Sequence, residues 1–233
     1  MNNIVNMLEK VKSKLIVSCQ ALEDEPLHSS YIMGRMAVAV EQGGASGIRA
    51  NSKEDIIEIK KNTTLPVVGI VKRDYEDSDI YITATMKEVH ELADSNCEMI
   101  ALDATCRKRH NDEKLANFVQ SIRSTYPNVL LMADISTLEE AIEAEKLGFD
   151  CVSTTLMGYT KESEGHNIAD DDFARLKAIL KSVTIPVIAE GHVDTPEKAK
   201  RCQELGVYSM VIGSAITRPQ LITKSFIDKI TNE

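Results

Sequence analysis

The sequence predicts an α/β chain folded as a single-domain (β/α)8 barrel, eight parallel strands closed on themselves and alternating with helices. Three observations predict it. Short β-rich runs recur eight times with helical patterns between them. Two of these runs, the third and the seventh, open on an internal echo, Thr64-Leu-Pro-Val-Val68 and Thr184-Ile-Pro-Val-Ile188. Their separation of ~120 residues is four βα units of ~30 residues, as half-barrel symmetry requires. The last third reads Pro186-Val-Ile-Ala-Glu-Gly191, a capped helix, then Ser209-Met-Val-Ile-Gly-Ser214. Such turns are usual after the seventh and eighth strands of a barrel, where a phosphate group is commonly held. A doubly wound sheet would also alternate, but it usually carries a glycine-rich first turn. Here the first turn is Glu23-Asp-Glu-Pro26, and no interdomain linker follows in 233 residues.

The predicted strands are 15–20, 47–51, 66–72, 99–105, 129–135, 151–155, 186–191 and 209–213. Helix boundaries between them carry the expected chemistry. Thr137 with Glu140 makes a capping box, Ser52 with Asp55 a similar one, and Thr195-Pro196 an N-cap with proline at N1. Gly43-Gly44, Gly148 and Gly206 stand where C-terminal caps belong. Between strands 6 and 7, Phe173, Leu176, Leu180 and Val183 recur at helical spacing over 172–183. Ahead of the barrel, residues 1–14 read as a short amphipathic helix on Ile4, Leu8 and Val11, placed over the barrel floor. The catalytic domain is expected over 15–233.

A formal net charge of -9 argues against nucleic acid or an anionic membrane as the main partner. No run approaches the ~20 apolar residues of a membrane span, and residues 1–14 lack the apolar stretch of a signal peptide. The five cysteines are scattered, with no Cys-x-x-Cys pair, as in a reduced cytoplasmic protein. The five histidines show no metal-ligand spacing, so no metal site is expected. His90 reads as a surface residue. His192, next to Glu190-Gly191, has a weaker case for a place in the phosphate loop. Asp170-Asp-Asp172 reads as acids favouring a helix N-terminus rather than a cation site. Neither Walker A nor G-x-G-x-x-G occurs, which weakens nucleotide-cofactor readings.

Buried parallel strands are apolar along their length, so polar residues at their C-terminal ends call for a reason. Here these are Gln20, Arg49, Lys72, Asp103, Asp134, Thr154, Thr155 and Glu190, with Arg218 after strand 8. Singly, each can mark only a solvated loop; Lys72, Asp134 and Glu190 together, all at the ends of apolar runs, point to the catalytic face. Asp103 is equally read as a tie between loops. Near pH 7 an ordinary lysine is a free base in only about one molecule in a few thousand, so a basic Lys72 needs desolvation or neighbouring cations. Arg49 would help, whereas Glu190 and Asp134 would oppose. Strands 3 and 7 are diametrically opposite, so Lys72 and Glu190 approach a central substrate from two sides. Such a pair suits inversion of a carbon by proton removal and return, one of several reactions the residues allow. Backbone N–H groups at Gly191, Gly213 and Ser214, a short helix near Pro219 and the Arg218 guanidinium suit a phosphate. Alternatively, the glycines only make tight turns.

Several stretches together carry a family resemblance: Leu15-Ile-Val-Ser-Cys-Gln-Ala-Leu22, Pro26-Leu-His-Ser-Ser30, Gly47-Ile-Arg-Ala-Asn51, Gly69-Ile-Val-Lys-Arg-Asp-Tyr75, Ala101-Leu-Asp-Ala-Thr105, Met132-Ala-Asp134, Thr154-Thr155 with Gly158-Tyr159-Thr160, Ile188-Ala-Glu-Gly191 and Ala215-Ile-Thr-Arg-Pro219. With them the chain resembles the N-acetylmannosamine-6-phosphate 2-epimerase family from strand 1 to the last helix. The resemblance implies interconversion of N-acetylmannosamine 6-phosphate and N-acetylglucosamine 6-phosphate, in sialic-acid and amino-sugar catabolism. It implies no redox cofactor and a homodimer. By motif position Lys72 would take the C2 proton and Glu190 act as its acid/base partner. Gln20, Arg49 and Asp134 would hold the open-chain sugar, and Arg218 with the last loops the phosphate. Two rivals stay open: a Schiff-base aldolase using Lys72 as nucleophile, and a non-catalytic sugar-phosphate sensor.

Overall fold

A computed structural model describes residues 6–231. Its eight strands, β1 Leu15–Cys19, β2 Gly47–Asn51, β3 Val67–Ile70, β4 Met99–Asp103, β5 Leu130–Asp134, β6 Cys151–Ser153, β7 Val187–Glu190 and β8 Ser209–Ile212, pair in parallel and in order into a closed barrel. Closure comes from Leu15, Ile16 and Val17 of β1 set against Met210, Val211 and Ile212 of β8. The helices are α1 Met7–Val11, α2 Ser30–Gln42, α3 Lys53–Asn62, α4 Met86–Asp94, α5 Leu115–Thr125, α6 Leu138–Lys146, α7 Asp170–Ser182, α8 Pro196–Glu204, α9 Ser214–Thr217 and α10 Pro219–Thr231. None is long and apolar enough among the described residues to cross a membrane.

Seven of the strands, all but β2, stop one or two residues short of their predicted C-terminal ends. The residues beyond, among them Gln20, Lys72 and Thr155, leave the ladder and bend into the βα loops. Alternation of side chains along a strand then divides the apolar residues into two cores. Val17, Ile48, Val67, Ile100, Leu131, Val152 and Val187 face outward against the helices. Ile16, Val68, Ile70, Met99, Met132, Cys151, Ile188 and Val211 face inward and fill the barrel. Continuing the inward register upward brings Ser18, Gln20, Arg49, Lys72, Asp134, Ser153, Thr155 and Glu190 to one mouth. The catalytic end is thus built by the same period that builds the core.

Helix α1 closes the other end. Met7 and Val11 are buried in the inner core, and Tyr208 donates its hydroxyl to the Leu8 carbonyl at 3.1 Å. Ile4, the first residue of the predicted stripe, lies outside the described residues. Thr137 and Glu140 form the expected reciprocal capping box, and Thr195 caps α8 with Pro196 in its first turn. Thr85 and Glu88 form a second box that the sequence reading did not single out. At Ser52 the box is only half made. Its hydroxyl accepts from the Asp55 N–H at 3.2 Å, but the Asp55 carboxylate turns away to the Ser30 hydroxyl at 2.6 Å. Asp172 does not cap α7: its φ is 53°, and its carboxylate bonds Lys177 and Arg201 at 2.5 Å.

Candidate active site

Lys72 lines the mouth, held there by a backbone tied down on both sides of it. Its N–H donates to Asn51 Oδ1 of β2 at 2.8 Å, and it pairs antiparallel with Ile82 of the returning β3–α4 segment. That segment, fixed also by Arg73 N–H to the Tyr81 carbonyl at 2.9 Å, lays Tyr81 and Ile82 against the cavity. Burial pushes the Lys72 amine below its ordinary pKa, and the Arg49 and Arg218 cations push the same way, outweighing Glu190 and Glu25. The balance that the sequence left open thus leans in the direction of the free base, the form able to accept a proton.

Glu190 faces Lys72 across the same cavity of about 400 Å³. Its backbone is locked in both directions by Thr154, whose hydroxyl lies 2.8 Å from the Glu190 carbonyl and 3.0 Å from its N–H. Burial raises the Glu190 pKa, Arg49 opposes this, and Asp134 adds to it. Arg49 is 1% exposed and is held between two acids. Its Nη2 donates to Asp134 Oδ2 at 2.5 Å; its Nη1 donates to Asp134 Oδ1 and to Glu190 Oε2, each at 3.0 Å. A buried guanidinium paired twice in this way stays charged, and these acids hold its pKa above the usual value.

Of the nine predicted site residues, Gln20, Arg49, Lys72, Glu190, Gly191, Gly213, Ser214 and Arg218 line this one cavity. Asp134 lies behind the wall. It is fully buried beneath Arg49 and does not reach the cavity surface, because both its oxygens are engaged by the guanidinium. Gln20 donates Nε2 to Ser18 Oγ at 2.7 Å, which leaves its buried Oε1 without a partner among the described residues. Asp103 turns to its own loop: Oδ1 accepts from Thr105 N–H at 3.0 Å and the other oxygen from Arg107.

The far end of the cavity is shaped for an anion. Gly191, at φ 88°, and Gly213 expose backbone between β7, β8 and α9. The short helix begins at Ser214 itself, directly after β8, rather than near Pro219, which opens α10. No side chain caps α9: the N–H groups of Ile216 and Thr217 donate to the Gly213 carbonyl at 2.8 and 3.0 Å, which leaves those of Ser214 and Ala215, beside the cavity, for an anion. Arg218 follows, its Nη2 donating to Glu25 Oε2 at 3.0 Å, and Glu25 is itself fixed by the Leu22 N–H at 2.8 Å.

Sequence reasoning passed over Ser153 and Tyr81, and it named Thr155, and Ser18 and Tyr159 within the resembling stretches, without giving them a role. Ser153 and Thr155 were findable, since they alternate with Thr154 on the inward face of β6 and the loop after it. Tyr81 and Tyr159 sit on loops, where no period operates. His192 does line the cavity, stacked on Tyr159 with ring centres 5.4 Å apart.

A family model described as "Putative N-acetylmannosamine-6-phosphate epimerase" matches residues 33–232. A relative from Oceanobacillus iheyensis, described as a 2-epimerase for the same compound, is 63% identical over 95% of this chain and 100% of its own length. One from Shouchella clausii, with the same description, is 62% identical over 96% of this chain and 98% of its own. The solved structure of the N-acetylmannosamine-6-phosphate 2-epimerase from Clostridium perfringens superposes with a TM-score of 0.93 at 59% identity, covering 98% of each chain. With matches that span the barrel from β1 to α10, the chain belongs to the N-acetylmannosamine-6-phosphate 2-epimerase family.

Proposed function

We propose that this chain interconverts N-acetylmannosamine 6-phosphate and N-acetylglucosamine 6-phosphate by removing and returning the proton at C2, as an isomerase of amino-sugar and sialic-acid catabolism. One observation carries the reading: a desolvated lysine and a buried glutamate face each other from opposite strands, with an anion-binding turn at one end of the same cavity. Ring opening exposes an aldehyde at C1, which acidifies the C2 hydrogen. Lys72 Nζ accepts that proton, and the negative charge developing on the C1 oxygen is met by the donors and the positive field at the mouth. Glu190 serves as the acid/base partner. Gln20, with its free acceptor, and Arg49 hold the open-chain sugar, while Asp134 acts through Arg49 by fixing it. Gly191, Gly213, Ser214 and Arg218 receive the phosphate.

In this reading residues 15–233 form the catalytic domain, and neither metal nor redox cofactor takes part. The partner is a small sugar phosphate rather than nucleic acid or a membrane. A net charge of -9 supports that choice, and five unpaired cysteines support a cytoplasmic setting. The chain works as a homodimer; the exposed Phe226, Ile227 and Ile230 on α10 supply an apolar face for a second copy to cover.

The test is NMR of N-acetylmannosamine 6-phosphate incubated with the protein in D2O. The expected product is the glucosamine epimer carrying deuterium at C2, unaffected by a chelator. Lys72→Ala retains sugar-phosphate binding and loses exchange. Exchange at the wild-type rate in that variant overturns the role of Lys72, and no epimer from the wild type overturns the activity.

A further inference from the structure

The Thr155 hydroxyl touches three oxygens at once: Asp134 Oδ1 at 2.8 Å, Glu190 Oε2 at 2.9 Å and Ser153 Oγ at 2.9 Å. A hydroxyl has one hydrogen to give and two lone pairs to receive with. All three contacts are satisfied only if it donates once and accepts twice. Donation to Ser153 would leave both carboxylates facing bare lone pairs on Thr155. Donation to Glu190 would leave the Asp134 contact of 2.8 Å as oxygen against oxygen with no hydrogen between. That contact would then need a proton on Asp134, whose two oxygens already receive both ends of the Arg49 fork. The arrangement that leaves fewest contacts bare has Thr155 donating to Asp134, accepting from Ser153 and accepting from a hydrogen on Glu190, with Arg49 Nη1 at 3.0 Å meeting the other lone pair of Oε2 and only the longer Ser153–Oε2 contact of 3.1 Å left without a hydrogen.

The geometry points to Thr155 as a positioning residue that keeps a proton on Glu190 in the free enzyme by handing its own hydroxyl hydrogen to Asp134. This deepens the epimerase reading and rests on it for its purpose: the site then waits with its acid loaded opposite a lysine that burial pushes towards the free base. Charge balance agrees. Arg49 supplies one positive charge to a pocket floor holding two carboxylates, and burying an uncompensated charge is costly. A hydrogen on Glu190 makes the group of Arg49, Asp134 and Glu190 neutral as a whole. The other groups facing Glu190 are Ser153, at 3.1 Å from Oε2, and Lys72 from the opposite strand. The upward push of burial on the Glu190 carboxyl acts in the same direction.

Infrared spectroscopy of the intact protein near pH 7, in H2O and D2O, reads this directly. The wild type is expected to show the carbonyl stretch of an un-ionised carboxylic acid, shifting on deuteration and absent in Glu190→Gln. Thr155→Val removes the acceptor of that hydrogen while preserving shape, and the band is expected to titrate away roughly one pH unit lower, the worth of one net hydrogen bond. Thr155→Ser restores the hydroxyl and the wild-type titration, which a purely structural role for the side chain would not require. Absence of the band in the wild type, its persistence in Glu190→Gln, or an unchanged titration in Thr155→Val overturns the inference. Turnover of the sugar phosphate by the wild type is scored separately. Turnover without the band defeats this inference alone, and the band without turnover defeats the epimerase reading alone.

Discussion

Replacing Arg49 by methionine tests the electrostatic heart of the barrel. The guanidinium is 1% exposed and donates at 2.5–3.0 Å to two acids on different strands, Asp134 of β5 and Glu190 of β7. Methionine matches much of its volume, so the perturbation is loss of charge rather than a cavity. Removing one partner of a buried ion pair costs about 3–5 kcal/mol, because the remaining charge is left uncompensated. A domain with ~5–15 kcal/mol of stability loses a fifth or more of it. Arg49 is also the main influence pulling the Glu190 pKa down, so its removal raises that pKa further. For a carboxyl whose folded pKa exceeds the unfolded value of ~4.3, stability is intact below the unfolded value and is lost as pH rises through the folded one. Urea unfolding of Arg49→Met and wild type at pH 5 and pH 8 should therefore show the larger deficit at pH 8. A loss below about 1 kcal/mol, or an equal deficit at both pH values, refutes the account.

Three further outcomes are expected. Lys72 is held below its ordinary pKa by burial and by Arg49 and Arg218, so the unfolded chain binds its proton more tightly. Lys72→Met should then be more stable than the wild type at pH 7 while inactive, the gap closing as pH approaches the unfolded value of ~10.4; thermal melts at several pH values check this. Arg218→Ala should raise KM for the phosphorylated sugar by roughly ten- to a hundredfold, the loss of one charge-assisted hydrogen bond, with kcat less affected, as steady-state kinetics will read. Gly158 sits at φ 90°, and an added Cβ would lie 2.4 Å from the His166 carbonyl oxygen. Gly158→Ala should lose about 1–3 kcal/mol and disturb the β6–α7 loop that carries Tyr159, visible as lowered Tm.

What could be read from the sequence was local. Eight apolar runs, capping boxes at Thr137 and Thr195, and the paired Thr64 and Thr184 echoes give the barrel and its strand order. Strand alternation gives the mouth as well, since every inward position above Ile16, Ile70 and Ile188 is polar. What escaped depended on distances across the barrel. Arg49 meets residues 85 and 141 positions away, and no local pattern tells whether its donors point at substrate or at Asp134. The same holds for Thr155, whose part follows from three contacts converging on one atom. Ser52 and Asp55 failed as a box because Ser30, from the preceding helix, competes for the carboxylate. The start of α9 was misplaced because Pro219 signals a helix start wherever it occurs, while Gly213 lets the chain turn into a helix earlier.

Met7 and Val11 of α1, packed beneath Ile16, Met99 and Met132, stopper the cylinder from below. Among the described residues, the cavity therefore opens at the mouth formed by the strand C-terminal ends. A product molecule must back out along the route by which its precursor came in, and the two can never pass each other. Each epimer therefore obstructs the other by simple occupancy of the shared cavity.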